Sequence, residues 1–193
     1  PAIVREIRSS ASYVNARRIG TAVHTILASP AAEFPGVVYY PAGIECGSDS
    51  DPAAVEKALD DLRTANTIII ENSPLTNWLP TLTDTIYTDG QPSTSGNLLA
   101  CCPSFYRSSL EDGSSLLTVM SVSIDAPQAP STTTILSRAG AAYASSEALY
   151  LAVPQERNDW YGWYGGWEGV DELSTVHKFA LEGAVPTYIA SGV

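Results

Sequence analysis

The sequence predicts a mainly β fold assembled from repeated four-stranded antiparallel units. One observation is a layout that occurs twice. The chain opens as PAIVREIRSSASYVNARRIGTAVHTILA, and PSTTTILSRAGAAYASSEALYLAV runs from Pro130 to Val153 with the same order of strand, turn and strand. A proline leads a tyrosine in both copies, Pro1 before Tyr13 and Pro130 before Tyr143, and recurrence of one supersecondary layout marks a repeat architecture. A second observation is composition. Apolar residues make up 45% of the 193-residue chain and charged residues 16%, which favours a packed core over disorder. A third is the alternation of apolar and polar residues in most of the β-prone stretches.

Taken in order, Ile3, Arg5 and Ile7 alternate with Val4, Glu6 and Arg8 as a first strand. Tyr13-Val14 follow a serine-softened turn, and Arg17-Arg18-Ile19-Gly20 reads as a hairpin turn in which Gly20 is free to take positive φ. Thr21 to Ala28 returns as a strand, apolar at Val23, Ile26 and Leu27. Residues 31–50 carry no sustained period and read as loop. Asp51-Pro52 is a helix start, with the aspartate as N-cap and proline at the first helical position. The helix has one inward stripe, Val55, Leu59, Leu62, Asn66 and Ile69, interrupted at Asn66. Ser73-Pro74 begins a second, short helix that Pro80 ends.

Residues 81–98, rich in Thr, Ser and Gly, read as loop, and Leu98 to Tyr106 as a short edge strand with the cysteine pair. Leu116 to Ile124 is the strongest strand, with Leu116, Thr118, Met120, Val122 and Ile124 on one face and Leu117, Val119, Ser121 and Ser123 on the other. Thr132–Leu136, Ala141–Ala144 and Ala148–Val153 follow as strands, then Thr175–Leu181 and a last strand near Val185–Ala190.

These strands set the phase of the repeat. One unit holds the strands of Tyr13, Val23, Leu116 and Thr132, and the next holds those of Tyr143, Leu149, Thr175 and Tyr188. Ile3–Ile7 takes the place of a fourth strand. The first unit carries a helical and loop insertion at about residues 29–114 between its second and third strands, and the second carries an aromatic loop at the same point. Four antiparallel strands per repeat make the blade of a β-propeller, so the whole of 1–193 is expected to be one such domain or a piece of one.

Four passages, SYVNARRIGTAVHTIL, SLLTVMSVSIDAPQAP, AAYASSEALYLAV and STVHKFALEG…YIASGV, resemble the secreted "β-propeller domain" proteins of bacteria and archaea. In that family the first reads as a GSYV-x-x-R strand and the last as T-x-I-H-[KR]-F leading into Y-x-A-S-G-x-V-P-G. The resemblance covers most of the chain outside 31–50, 81–97 and 155–172. It implies a propeller-like fold and a secreted or cell-surface location, and it supplies no catalytic residues. Two blades and an extra strand do not close a ring, so the blade edges are expected to be covered by the insertion or by a second copy in a homo-oligomer. Pro1 stands at the start of a strand, as in an excised or processed piece whose upstream sequence would hold any signal or lipid anchor.

A formal net charge of −11 repels phosphates and excludes nucleic acid and anionic membrane as expected partners. No apolar run is long enough for a transmembrane segment, and no signal peptide is present. Cys46, Cys101 and Cys102 form no C-x-x-C pair and lie far from His24 and His177 in the sequence, so neither a metal nor another cofactor is expected. In an oxidising compartment one disulfide joins Cys46 to Cys102 or Cys101, and three reduced thiols are the alternative.

Ser114-Ser115 lacks a G-x-S-x-G elbow, and the histidines sit in strand patterns where a core or edge role is ordinary. Asp60-Asp61 and Glu111-Asp112 read as solvated charge, because glycosidase work needs two carboxylates facing across a cleft. Cys46–Asp51 has two spaced aspartates, loosely like a calcium loop, but they are not followed by the glycine and terminal glutamate of an EF-hand, and a helix cap is the expected role. The sharpest binding candidate is DWYGWYGGWEG, where Trp160, Tyr161, Trp163, Tyr164 and Trp167 stand near Asp159 and Glu168. Flat rings beside acids suit sugar stacking or a protein hot spot, and covering a blade edge is the bland alternative. The functional expectation is a non-catalytic module binding a protein or polysaccharide. An enzyme acting on cell-envelope glycans through carboxylates, and a structural self-associating domain, are the alternatives.

Overall fold

A computed structural model describes residues 2–30, 34–44, 51–99, 102–110, 113–126, 128–155 and 173–193. Twelve strands are assigned in it. They are β1 (Arg5–Ser9), β2 (Ser12–Ile19), β3 (Ala22–Ser29), β4 (Thr81–Thr88), β5 (Gln91–Leu98), β6 (Phe105–Arg107), β7 (Leu116–Ser123), β8 (Ser131–Leu136), β9 (Ala141–Ala144), β10 (Ala148–Pro154), β11 (Ser174–Glu182) and β12 (Val185–Gly192). Two helices, α1 (Pro52–Glu71) and α2 (Leu75–Trp78), lie between β3 and β4. The strands form three sheets: sheet A in the order β1-β4-β5, sheet B in the order β2-β3-β7-β8-β6, and sheet C in the order β12-β11-β10-β9.

Sheet C is one four-stranded antiparallel meander, paired β9 to β10, β10 to β11 and β11 to β12. Sheet B repeats that order with β2, β3, β7 and β8. Both units hold the strands assigned to them from the sequence. The inserted chain between Ser29 and Leu116 contributes a fifth strand, β6, which runs parallel to β8 at the sheet's edge. The edge strand expected over Leu98–Tyr106 is therefore displaced to Phe105–Arg107, because Leu98 already pairs with Thr81 as the end of β5.

The expectation of loop over residues 81–98 is corrected. β4 and β5 form a tight hairpin, and β4 also pairs with β1. Its turn is Asp89-Gly90, with φ of 51° and 79°, the two positive values that a two-residue type I′ turn requires. Leu82 and Asp84 of β4 point inward while Thr residues take the outer face, so the pattern alternates although little of it is apolar. β5 is exposed from Gln91 to Asn97 and carries Pro92, as suits an edge strand.

Sheet B is apolar on both faces. Ile26, Leu117, Val119 and Ile135 bury against Leu149, Leu151, Phe179 and Leu181 of sheet C. On the opposite face Leu27 and Met120 pack with Leu82 and Leu99. Residues 116–121 of β7 are consequently buried at every position. The B–C contact is also pinned by polar groups, since the Thr133 hydroxyl donates to the Pro186 carbonyl and the rings of Tyr106 and Tyr188 lie 5.1 Å apart. At the junction between the two units, a Cβ on Gly140 would stand 2.0 Å from the Ala152 carbonyl oxygen, so only glycine lets β10 approach there.

Residues grouped by proximity fall into two compact units, Pro1–Ala31 with Pro80–Val193, and Ala32–Leu79. Within the second, Asp51 caps α1 by accepting from the Ala53 amide at 3.1 Å. Asn66, the residue that breaks the apolar stripe, accepts from the Val38 amide at 3.2 Å and donates to the Val38 carbonyl at 2.7 Å. It thereby clamps the preceding segment to the helix. Phe34 meets Trp78 edge to face at 4.4 Å.

Candidate functional site

Both histidines are turned inward. His24 on β3 and Ser121 on β7 are direct cross-strand neighbours, and Nδ1 lies 2.6 Å from the hydroxyl oxygen. Both sit on the face of sheet B that meets sheet C. Burial lowers the His24 pKa below its usual value, which keeps the imidazole neutral. His177 on β11 is fully buried, with Nε2 at 3.2 Å from Ser137 Oγ and Nδ1 at 3.3 Å from Tyr188 OH. Strand register brings His24 to Ser121, whereas His177 reaches Ser137 across the packing of sheet C on sheet B.

On sheet A, Arg5 grips Asp84 with both arms of its fork, Nε at 2.8 Å and Nη2 at 2.6 Å. Nη2 also donates to the Gln128 carbonyl at 2.8 Å. The hydrogen bond to Asp84 raises the Arg5 pKa against the opposing effect of burial. Nη1 is buried with no acceptor among the described residues.

The accessible hollows have different linings. A cleft of about 840 Å³ opens between sheets A and B. Arg5, Ile7 and Ser9 of β1 form one wall, and Tyr13, Val23 and Met120 face them from sheet B. A shallower hollow of about 440 Å³ lies on sheet C, lined in part by Glu147, Tyr150, Lys178 and Glu182. There Tyr143 and Tyr150 are cross-strand partners with ring centroids 6.4 Å apart, and the Lys178 ammonium lies 5.8 Å from the Tyr150 centroid.

A family model for the β-propeller domain matches residues 1–193. The chain belongs to the β-propeller domain family. The two four-stranded units are thus propeller blades, and the propeller places its insertion between the second and third strands of the first. No curated protein and no solved structure matches the chain.

Of the residues singled out from the sequence, Trp160, Tyr161, Trp163, Tyr164 and Trp167 lie outside the described residues, as do Cys46 and Cys101. Cys102 begins a single 3₁₀ turn ahead of β6. Asp60 and Asp61 are surface charges paired with Arg63 at 3.2 Å and Lys57 at 2.5 Å, and Glu111-Asp112 lies outside the described residues. No three His, Cys, Asp or Glu side chains gather as metal ligands among the described residues, and no helix there is long and apolar enough to cross a membrane. Arg5, Asp84, Ser121 and Ser137 were not legible as a group. Their partners are distant in the chain, 79 residues for Arg5 and Asp84 and 97 for His24 and Ser121, and only sheet register brings them together.

Proposed function

We propose that this propeller is a non-catalytic, extracytoplasmic module that binds a protein or polysaccharide partner. The observation that carries this reading is the division of its side chains. His24 and His177 are each committed to a buried hydroxyl and Asp84 to the Arg5 guanidinium, while the cleft between sheets A and B is lined mostly by apolar side chains and the hollow on sheet C sets an aromatic pair among a few charged groups. General acid–base work needs a titratable group within reach of substrate, whereas recognition needs flat apolar area with a few polar groups at its edge. The tyrosine pair of sheet C, with Lys178 above one ring and Glu147 and Glu182 nearby, has that composition, and the tryptophan-rich segment at 160–167 adds more of it. Export from the cytoplasm fits the acidic surface and the resemblance to secreted proteins.

An array of envelope polysaccharides and envelope proteins tests the reading. It predicts saturable binding without turnover, weakened by at least about tenfold in Trp160→Ala or Tyr150→Ala, as expected when an aromatic anchor is removed. Turnover of a glycan that is lost on neutralising one acidic residue would replace this reading with an enzyme.

A further inference from the structure

The chain carries 21 acidic side chains against 10 basic ones, so a cation with no carboxylate beside it stands out from its surroundings. Arg5, Arg8, Lys57 and Arg63 each have an acidic partner. Arg17, on β2, has none among the described residues, and the bond it makes there is a long contact of 3.4 Å from Nη1 to the Ala16 carbonyl. Strand register decides what stands beside it. Asn15 lies two residues earlier and so shares the same face of β2, and His24 is the partner of Arg17 across the ladder on β3.

All three side chains have donors to spare. Asn15 Oδ1 accepts from the Ala16 amide at 2.8 Å, which leaves its side-chain N–H groups without an acceptor among the described residues. His24 is only 2% exposed and its Nδ1 is taken by Ser121 Oγ, while Nε2 has no partner among the described residues. An imidazole this deeply buried with one nitrogen unpaired carries a desolvation cost that a ligand relieves. Asn15, Arg17 and His24 line one recess, closed on the far side by Ala142, Ala144 and Leu149 of sheet C. Its room of about 10 Å³ takes about one water-sized atom. No carboxylate lines it among the described residues. Three N–H-bearing side chains, one of them cationic, suit an acceptor that carries negative charge. The tetrahedral head of a phosphate is too large for the recess. A planar carboxylate fits, with one oxygen inside and the other on the Arg17 fork outside. The mouth offers polar groups in place of apolar area, which suits a hydroxyl-rich ligand over an apolar peptide.

We propose that this recess between sheets B and C binds the carboxylate of an acidic sugar unit, a hexuronic acid of a polysaccharide. Arg17 pairs with the carboxylate. His24 donates from Nε2–H to the oxygen that enters, with Nδ1 accepting from the Ser121 hydroxyl. Asn15 donates to a sugar oxygen at the mouth. The inference gives a ligand class to the polysaccharide reading above and rests on it, but its contacts include neither Trp160 nor Tyr150, so the two sites are lost to different substitutions.

The probe is trigalacturonate, with its fully methyl-esterified form as the uncharged control. Calorimetry should show saturable binding, weakened at least about tenfold by esterification and to a similar degree by Arg17→Gln, as when a charge-assisted pair is lost. Arg17 is exposed, so that variant should keep the native melting temperature. In imidazole nitrogen spectra the His24 Nε2 proton should shift with trigalacturonate and stay in place with the ester, while His177 is unmoved by either. Trp160→Ala and Tyr150→Ala should bind trigalacturonate as the native chain does. No saturable binding, equal affinity for the ester, or unchanged affinity in Arg17→Gln would overturn the proposal. Loss in Trp160→Ala or Tyr150→Ala with Arg17→Gln unaffected would assign the sugar to the aromatic surface instead. Equally tight binding of a peptide through its terminal carboxylate, lost in Arg17→Gln, would overturn the sugar in favour of a polypeptide end.

Discussion

The two blades reach the same strand order by different routes. Sheet C is made by four successive strands, whereas sheet B leaves the blade after β3 and resumes at β7. The detour carries two helices, a hairpin and a short strand, yet β3 and β7 pair in register from Ala22–Ser123 to Ser29–Leu116. The entropy of closing a loop grows only with the logarithm of its length, so a long insertion costs the blade little once both neighbours are apolar and fit one another. The apolar positions of β3 and β7 thus specify the sheet, and the connection between them is free to acquire other work. The first blade uses that freedom twice, adding β6 to its own edge and β4-β5 beside β1.

If the blades share one core, breaking it in either should unfold both. Phe179 of sheet C is fully buried in the cluster that includes Leu117 and Val119 of sheet B. Phe179→Ala should cost about 3–5 kcal/mol, read by urea denaturation as one cooperative transition at lower midpoint. Next comes the inserted hairpin. Asp84→Ala leaves the Arg5 guanidinium charged and largely enclosed at 14% exposure, with an expected loss of about 3 kcal/mol; a change below about 0.5 kcal/mol would mean that the hairpin is an ornament. Gly140→Ala, at the seam between blades, forces a methyl against the Ala152 carbonyl and should cost about 1–3 kcal/mol.

His24 sharpens the contrast with pH. Burial lowers the His24 pKa from 6.5, so the unfolded chain binds a proton that the folded one resists. Its contribution to stability is fully present above about pH 6.5 and is lost as pH falls from there through the depressed folded value. Melting temperatures taken across that window should fall more steeply for the native chain than for His24→Gln, and parallel curves would remove His24 as the cause. The smallest effect is expected from replacing residues 32–79 by a flexible linker. The melting temperature should stay within about 4 °C, a shift worth about 1–2 kcal/mol for a chain of this size.

The same comparison explains what the sequence discloses. Both blades were legible because their strands alternate apolar and polar residues and their turns carry Gly20 and Gly183, each with positive φ. The helix cap at Asp51 was legible for a local reason too, since the bond reaches only two residues ahead. The β4-β5 hairpin was not recognised, because threonine and serine occupy most of it and composition hid the alternation of Leu82, Asp84 and Ile86. Asp89-Gly90 was the signal that could have revealed it. The pairings of Arg5 with Asp84 and of His24 with Ser121 depend on register between distant strands, which one sequence does not encode in any local pattern. Asn66 looked like a flaw in an apolar stripe and is instead a two-bond clamp on Val38.

The central claim is that an interrupted blade and a continuous one form a single cooperative core. Backbone hydrogen exchange under native conditions tests it most directly. The amides of β3 and β7 in sheet B and of β10 and β11 in sheet C should open at one common free energy, equal to that of global unfolding. Two separated levels, with sheet C retaining protection after sheet B has lost it, would contradict the account.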